Sequence, residues 1–162
     1  MLVSFHSSCA VLVFICCYII LTATQGFVEK GDVIFLLDGS DSISDGEFLE
    51  QKRLIEHFII QTDIGQDNVR VGAIVVSSDI GDTIEFSQST NRNTLLKAVD
   101  ALQQPQDGSR IDLGLNKLER LFFTSGRSNV PQIGIIVTDG RSKYPDASKG
   151  ESEALKGVGI HL

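Results

Sequence analysis

The sequence predicts an α/β fold, a doubly wound and mostly parallel central sheet with helices on both faces. Three observations carry that expectation. Apolar runs of strand length alternate along the chain with stretches whose apolar residues recur at helical spacing. The strand-like runs "VIFLL", "VRVGAIVV" and "QIGIIV" are near-continuous rather than alternating, as strands covered on both faces are. Two of them end in acid-bearing turns, Leu37 into Asp38 and Val137 into Thr138-Asp139. In open parallel sheets ligands lie beyond the carboxyl ends of the strands, where strand order reverses. If those two strands are neighbours, their turns share one crevice.

The first 26 residues stand apart, with no Asp, Glu, Lys or Arg. A short apolar block, "AVLVFICCYIIL", is followed by the small residues Thr24 and Gly26. That pattern reads as a secretory signal peptide over residues 1–26, cleaved near Gly26, with a signal anchor as the alternative. The block is shorter than the ~20 apolar residues of a membrane span, so no membrane contact is expected after cleavage. Cys9, Cys16 and Cys17, the chain's three cysteines, all lie inside it. A domain over 27–162 would therefore rest on core packing without disulfides, and the cysteines are not a metal site.

The elements then follow in order. "VIFLL" (33–37) is the first buried strand. Ser44 with Glu47 forms a capping box ahead of a helix whose apolar face is Phe48, Ile55, Phe58 and Ile59. "VRVGAIVV" is the second strand and "DTIEF" (82–86) a short edge strand. "NTLLKAVDAL" (93–102) is an amphipathic helix with Asn93 as its cap, and "QQPQDGS" a loop. Ile111, Leu115, Leu118 and Phe122 mark the next helix, and "QIGIIVTDG" the next buried strand. A last helix over 146–156 leads into "GVGIHL", the start of a further strand.

Composition narrows the function. With 42% hydrophobic residues and only three prolines, the chain is suited to one domain with a core. Net charge is −7 and the basic residues are scattered, so no nucleic-acid partner is expected, since phosphate binding needs a clustered basic face. His57 sits in an amphipathic helix, and neither it nor His161 has the partners of a nucleophile–base arrangement.

The oxygens after the first strand admit two readings. "DGSDS" can simply cap the next helix. Alternatively, its alternate side chains Asp38, Ser40 and Ser42 face one side and, with a carboxylate from Asp139 and a hydroxyl from Ser109, ring a hard cation. Mg²⁺ prefers oxygen ligands in near-octahedral array. Few direct carboxylates would leave that cation under-neutralised and open to an acidic group from a partner.

"DVIFLLDGSDSIS", "VRVGAIVVSS", "DGSRIDLGLNKL" and "PQIGIIVTDGRS", in that order and spacing, resemble a von Willebrand factor type A domain. The likeness is to the extracellular matrix type found in type VI collagen chains and matrilins. The resemblance implies a metal-ion-dependent adhesion site: Asp38, Ser40 and Ser42 from the first loop, Ser109 from the second, Asp139 from the third. In it the hydroxyls contact the metal, the aspartates often act through water, and the partner's Glu or Asp fills the open position. The implied ion is a divalent cation, Mg²⁺ first, with Mn²⁺ or Ca²⁺ as alternatives.

The sequence departs from the family pattern at several points. Ser109 replaces the usual threonine, keeping the hydroxyl but losing the methyl that stiffens χ1. Asp41 stands where relatives carry a small, aromatic or amide residue. The domain over 27–162 is expected to be incomplete at its C-terminus, with the family's last strand and C-terminal helix missing beyond Leu162.

The function so implied is a secreted, non-enzymatic adhesion module of the extracellular matrix. It would bind a matrix protein such as collagen, or a cell-surface receptor, through an acidic side chain. The runner-up is a structural matrix A-domain that binds independently of metal. A haloacid-dehalogenase-type phosphatase is disfavoured, because Ser40 occupies the place of its second aspartate.

Overall fold

The computed structural model describes residues 2–4, 30–89, 91–138 and 149–150. The chain runs through β1 (Leu2–Ser4), β2 (Gly31–Asp38), α1 (Asp45–Gln61), β3 (Val69–Val76), β4 (Ile80–Ile84), a 3₁₀ turn (Phe86–Gln88), α2 (Arg92–Asp100), α3 (Ile111–Ser125) and β5 (Gln132–Thr138). The strands form one sheet in the order β1-β5-β2-β3-β4. Every pairing is parallel except β3 with β4, so the expected mostly parallel sheet is the observed one. β1 lies in the segment read as a signal peptide and pairs along the outer edge of β5.

β2 is central, and all eight of its residues are buried. Successive side chains of a strand point to opposite faces. Val33, Phe35 and Leu37 therefore pack with Phe48, Ile55 and Ile59 of α1 and Leu95 and Val99 of α2. Ile34 and Leu36 face the other way, against Leu115, Leu118 and Phe122 of α3. The near-continuous apolar run in "VIFLL" is the sequence image of these two cores. α3 can lie close because Gly114 faces β2: a Cβ there would come within 2.5 Å of Leu36 Cδ1.

The capping box forms as expected. Ser44 Oγ accepts from Glu47 N–H at 3.3 Å, and the Glu47 carboxylate accepts from Ser44 N–H at 2.9 Å. Two boundaries differ from the sequence expectation. The edge strand is Ile80–Ile84 rather than 82–86, because Phe86 turns inward to open the 3₁₀ segment and pack against Phe122. The cap of α2 is Asn91, not Asn93: Asn91 Oδ1 accepts from Thr94 N–H at 2.9 Å, while Asn93 is already helical.

At the amino end of the sheet the fully buried Asp32 is held by two arginines. Arg70 Nε donates to Oδ1 at 2.9 Å and Nη2 to Oδ2 at 2.6 Å. Arg127 adds its backbone N–H at 2.6 Å and its Nε at 3.0 Å. Burial is the largest single influence on Asp32 and works to raise its pKa, yet the hydrogen bonds from Arg70 and Arg127 together outweigh it and hold the carboxyl below its usual range. The same Arg127 reaches the carbonyls of Gln66, Gly31 and Asn68, tying the loop before β5 to β2 and β3. No helix among the described residues is long and apolar enough to cross a membrane.

Candidate metal centre

Neighbouring strands bring the two acid-bearing turns together. β2 and β5 pair in register up to Leu37–Val137, so Asp38 and Thr138 leave the sheet side by side. This is the point where strand order reverses, with β3 on one side of β2 and β5 on the other. Thr138 Oγ1 donates to Asp38 Oδ2 at 2.8 Å, and Ser40 N–H donates to Asp38 Oδ1 at 3.1 Å. Both oxygens of a fully buried carboxylate are thus fixed by neutral donors. Among the described residues Asp38 takes part in no ion pair.

Ser40 is also fully buried, while Ser42 is exposed. Their hydroxyl oxygens lie 3.1 Å apart, a spacing at which both can face one ion. The second loop is laced to the first. Ser40 forms an isolated parallel bridge with Asp107, Asp41 N–H donates to Asp107 C=O at 2.9 Å, and Gln106 N–H donates to Gly39 C=O at 2.9 Å. Gln104 Nε2 donates to the carbonyls of Ser40 and Ile43, at 3.1 and 2.7 Å. Arg110 N–H donates to Ser77 C=O at 2.7 Å, tethering the loop to the end of β3 as well.

Between these tethers sits Ser109, 7% exposed. Its Oγ is the one buried side-chain polar atom among the described residues that has no hydrogen-bond partner. Buried hydroxyls are rarely left so. The residue after it is engaged sideways: Arg110 Nη2 donates to Asp112 Oδ2 at 2.7 Å in the first turn of α3. Arg110's hydrogen bonds hold the Asp112 carboxyl below its usual range, against the opposing effect of burial.

Of the sequence-predicted ligands, Asp38, Ser40 and Ser42 share one turn, and Ser109 lies on the loop bound to it. Asp139 lies outside the described residues, as do His161 and "GVGIHL". Of the expected last helix only Lys149 and Gly150 are described, both helical. Among the described residues no three of His, Cys, Asp and Glu cluster as metal ligands, and the predicted ligands that are described are three hydroxyls and the Asp38 carboxylate. Asp41 is exposed, its backbone rather than its side chain joining the second loop. Sequence reasoning passed over Thr138, Gln104 and Gln51, whose side chains hold the site's backbone and carboxylate. Thr138 and Gln51 left a trace, the first adjoining Asp139 and the second being an amide on the apolar stripe of α1.

Comparison with known proteins gives the family. The family model of the von Willebrand factor type A domain matches residues 32–162. The chain is 33% identical over 135 residues to the mouse collagen alpha-4(VI) chain, covering 83% of this chain and 6% of that one. It is 28% identical over 123 residues to chicken matrilin-1, covering 73% of this chain and 25% of that one. The chain thus spans a small part of the length of the relatives it matches.

Among solved structures it superposes on proximal thread matrix protein 1 of the mussel byssus with a zinc-occupied MIDAS motif. The TM-score is 0.72 at 18% identity, over 82% of this chain and 34% of that one. It also superposes on the manganese-loaded TRAP protein of Plasmodium vivax, with a TM-score of 0.71 at 18% identity, over 83% of this chain and 56% of that one. Type VI collagen chains and matrilin are proteins of the extracellular matrix, the compartment expected from the sequence. The chain belongs to the von Willebrand factor type A domain family.

Proposed function

We propose that the chain is a secreted, non-enzymatic binding module that engages an extracellular matrix protein, or a cell-surface receptor, through a divalent cation held by Asp38, Ser40, Ser42, Ser109 and Asp139. The observation that carries this reading is Ser109 Oγ, buried and without a hydrogen-bond partner among the described residues, on the loop bound to the Asp38–Ser42 turn. A buried hydroxyl oxygen with no partner among the described residues, on a loop bound to the turn of a buried carboxylate whose donors among those residues are neutral, is chemistry that a cation would complete. The zinc-occupied MIDAS motif of one structural neighbour and the manganese loaded into another support a divalent cation as the ligand, with Mg²⁺ the favoured ion and Mn²⁺ or Ca²⁺ as alternatives.

Each residue then has a defined task. Ser40, Ser42 and Ser109 offer hydroxyl oxygens directly. Asp38 and Asp139 supply charge, Asp38 with its orientation set by Thr138 and by the Ser40 amide. When bound, the ion supplies an under-neutralised Lewis-acid position that accepts a partner's Glu or Asp carboxylate. A leader over residues 1–26 belongs to the same proposal, and its removal would take β1 with it.

Binding to immobilised cell-derived matrix, measured in Mg²⁺, in EDTA and after Mn²⁺ is restored, tests the proposal. Retention in Mg²⁺, loss in EDTA, recovery with Mn²⁺ and loss in Asp139→Ala are expected. Retention unchanged in EDTA and in Asp139→Ala overturns it and assigns binding to a metal-independent face.

A further inference from the structure

Gln51 lies on the stripe of α1 that packs against the sheet, between Phe48 and Ile55, and its side chain is fully buried. It reaches the last residue of β2. Asp38 N–H donates to Gln51 Oε1 at 3.1 Å, and Gln51 Nε2 donates to Asp38 C=O at 3.0 Å. The β2–β5 ladder has ended one residue earlier, at Leu37–Val137. At Asp38 a helix side chain therefore takes both peptide groups, as a neighbouring strand would.

The consequence concerns the carboxylate that hangs from that peptide. Its two oxygens are held by Ser40 N–H and Thr138 Oγ1, and its Cα is held through both backbone groups by Gln51. An apolar side chain at this position would fill the core equally well while leaving a buried N–H and C=O without partners. An amide that meets a donor and an acceptor with its own acceptor and donor is the group this peptide requires.

We infer that Gln51 is a positioning residue of the cation site: it fixes the Asp38 main chain, and through it the carboxylate, without touching the ion. The inference rests on the proposed cation site and extends it into α1. Residues that orient metal ligands from behind typically change metal affinity by roughly 10–100-fold when removed.

The test compares Gln51→Met with Ile59→Val, a core truncation on the same helix remote from the turn. Mn²⁺ affinity is read by titration calorimetry and stability by thermal unfolding. Gln51→Met is expected to bind Mn²⁺ about 10-fold or more weakly, whereas Ile59→Val lowers stability and leaves affinity unchanged. Wild-type affinity in Gln51→Met, or a loss in both variants that merely tracks stability, overturns the inference while the cation site stands. A wild-type chain that takes up no Mn²⁺ overturns both. Amide exchange of the wild-type protein needs no variant to fold. Asp38 N–H should be protected like the core of β2, and exchange as fast as that of the exposed Ser42 overturns the clamp.

Discussion

Thr138 Oγ1 donates to Asp38 Oδ2 across 2.8 Å, joining two residues 100 positions apart in the chain at the open ends of adjacent strands. The bond gives a fully buried carboxylate one of its two fixed donors. Thr138→Val keeps the shape and the β-branch but leaves that oxygen a donor short. The expected cost is about 1–3 kcal/mol in chemical denaturation. Mn²⁺ affinity should fall roughly 10-fold by calorimetry. Thr138→Ser retains the hydroxyl and should stay near wild type in both measurements.

Ser109 makes the opposite prediction for stability. Its hydroxyl is buried and bonded to nothing among the described residues, so Ser109→Ala removes a polar atom without breaking a bond to any of them. Stability without metal should be unchanged within about 0.5 kcal/mol, or rise. Metal affinity should fall, because the proposed cation site loses one of its hydroxyl oxygens. The two readouts separate in this variant, as they would not if Ser109 were ordinary core. A clear loss of metal-free stability, with Mn²⁺ binding intact, would contradict the assignment.

The Asp32 cluster predicts a pH dependence at the other end of the sheet. Asp32→Asn leaves Arg70 and Arg127 facing a neutral group inside the protein and should cost about 3–5 kcal/mol at pH 7. The folded pKa of Asp32 is depressed below its unfolded value. Its contribution is therefore fully present above the unfolded value of about 3.9 and is lost as pH falls through the lower folded value. Denaturation midpoints of wild type and Asp32→Asn should differ by a constant amount above about pH 5 and converge only in strong acid. Convergence near neutrality would contradict the assignment.

Much of this was legible before any coordinates. "VIFLL" announced a strand buried on both faces because side chains alternate and every one of them was apolar. Ser44 and Glu47 announced the start of α1 because a capping box is a local bargain, settled within four residues. Asp38, Ser40, Ser42 and Asp139 were nameable because hydroxyls and carboxylates at strand ends are chemically conspicuous, and Ser109, on the loop before α3, because that loop resembles the family's second loop. Asn93 and the 82–86 strand were misplaced by two residues, since local pattern does not say which asparagine turns its side chain back or which way Phe86 packs.

The sequence by itself determined the fold class, the strands and helices from β2 to β5 to within two residues at the edge strand, and the oxygens available to a cation. Those depend on periodicity and on side-chain chemistry, which are properties of short stretches. Only the tertiary structure decided that β2 and β5 are neighbours, that Thr138 donates to the Asp38 carboxylate, and that Ser109 Oγ has no partner among the described residues. It also decided that Gln51 closes the end of β2. Each of these joins groups far apart in sequence, and a threonine or glutamine carries no local sign of the distant carboxylate or peptide it will satisfy. The turn after "VIFLL" offers the oxygens, and the packing around it orients them.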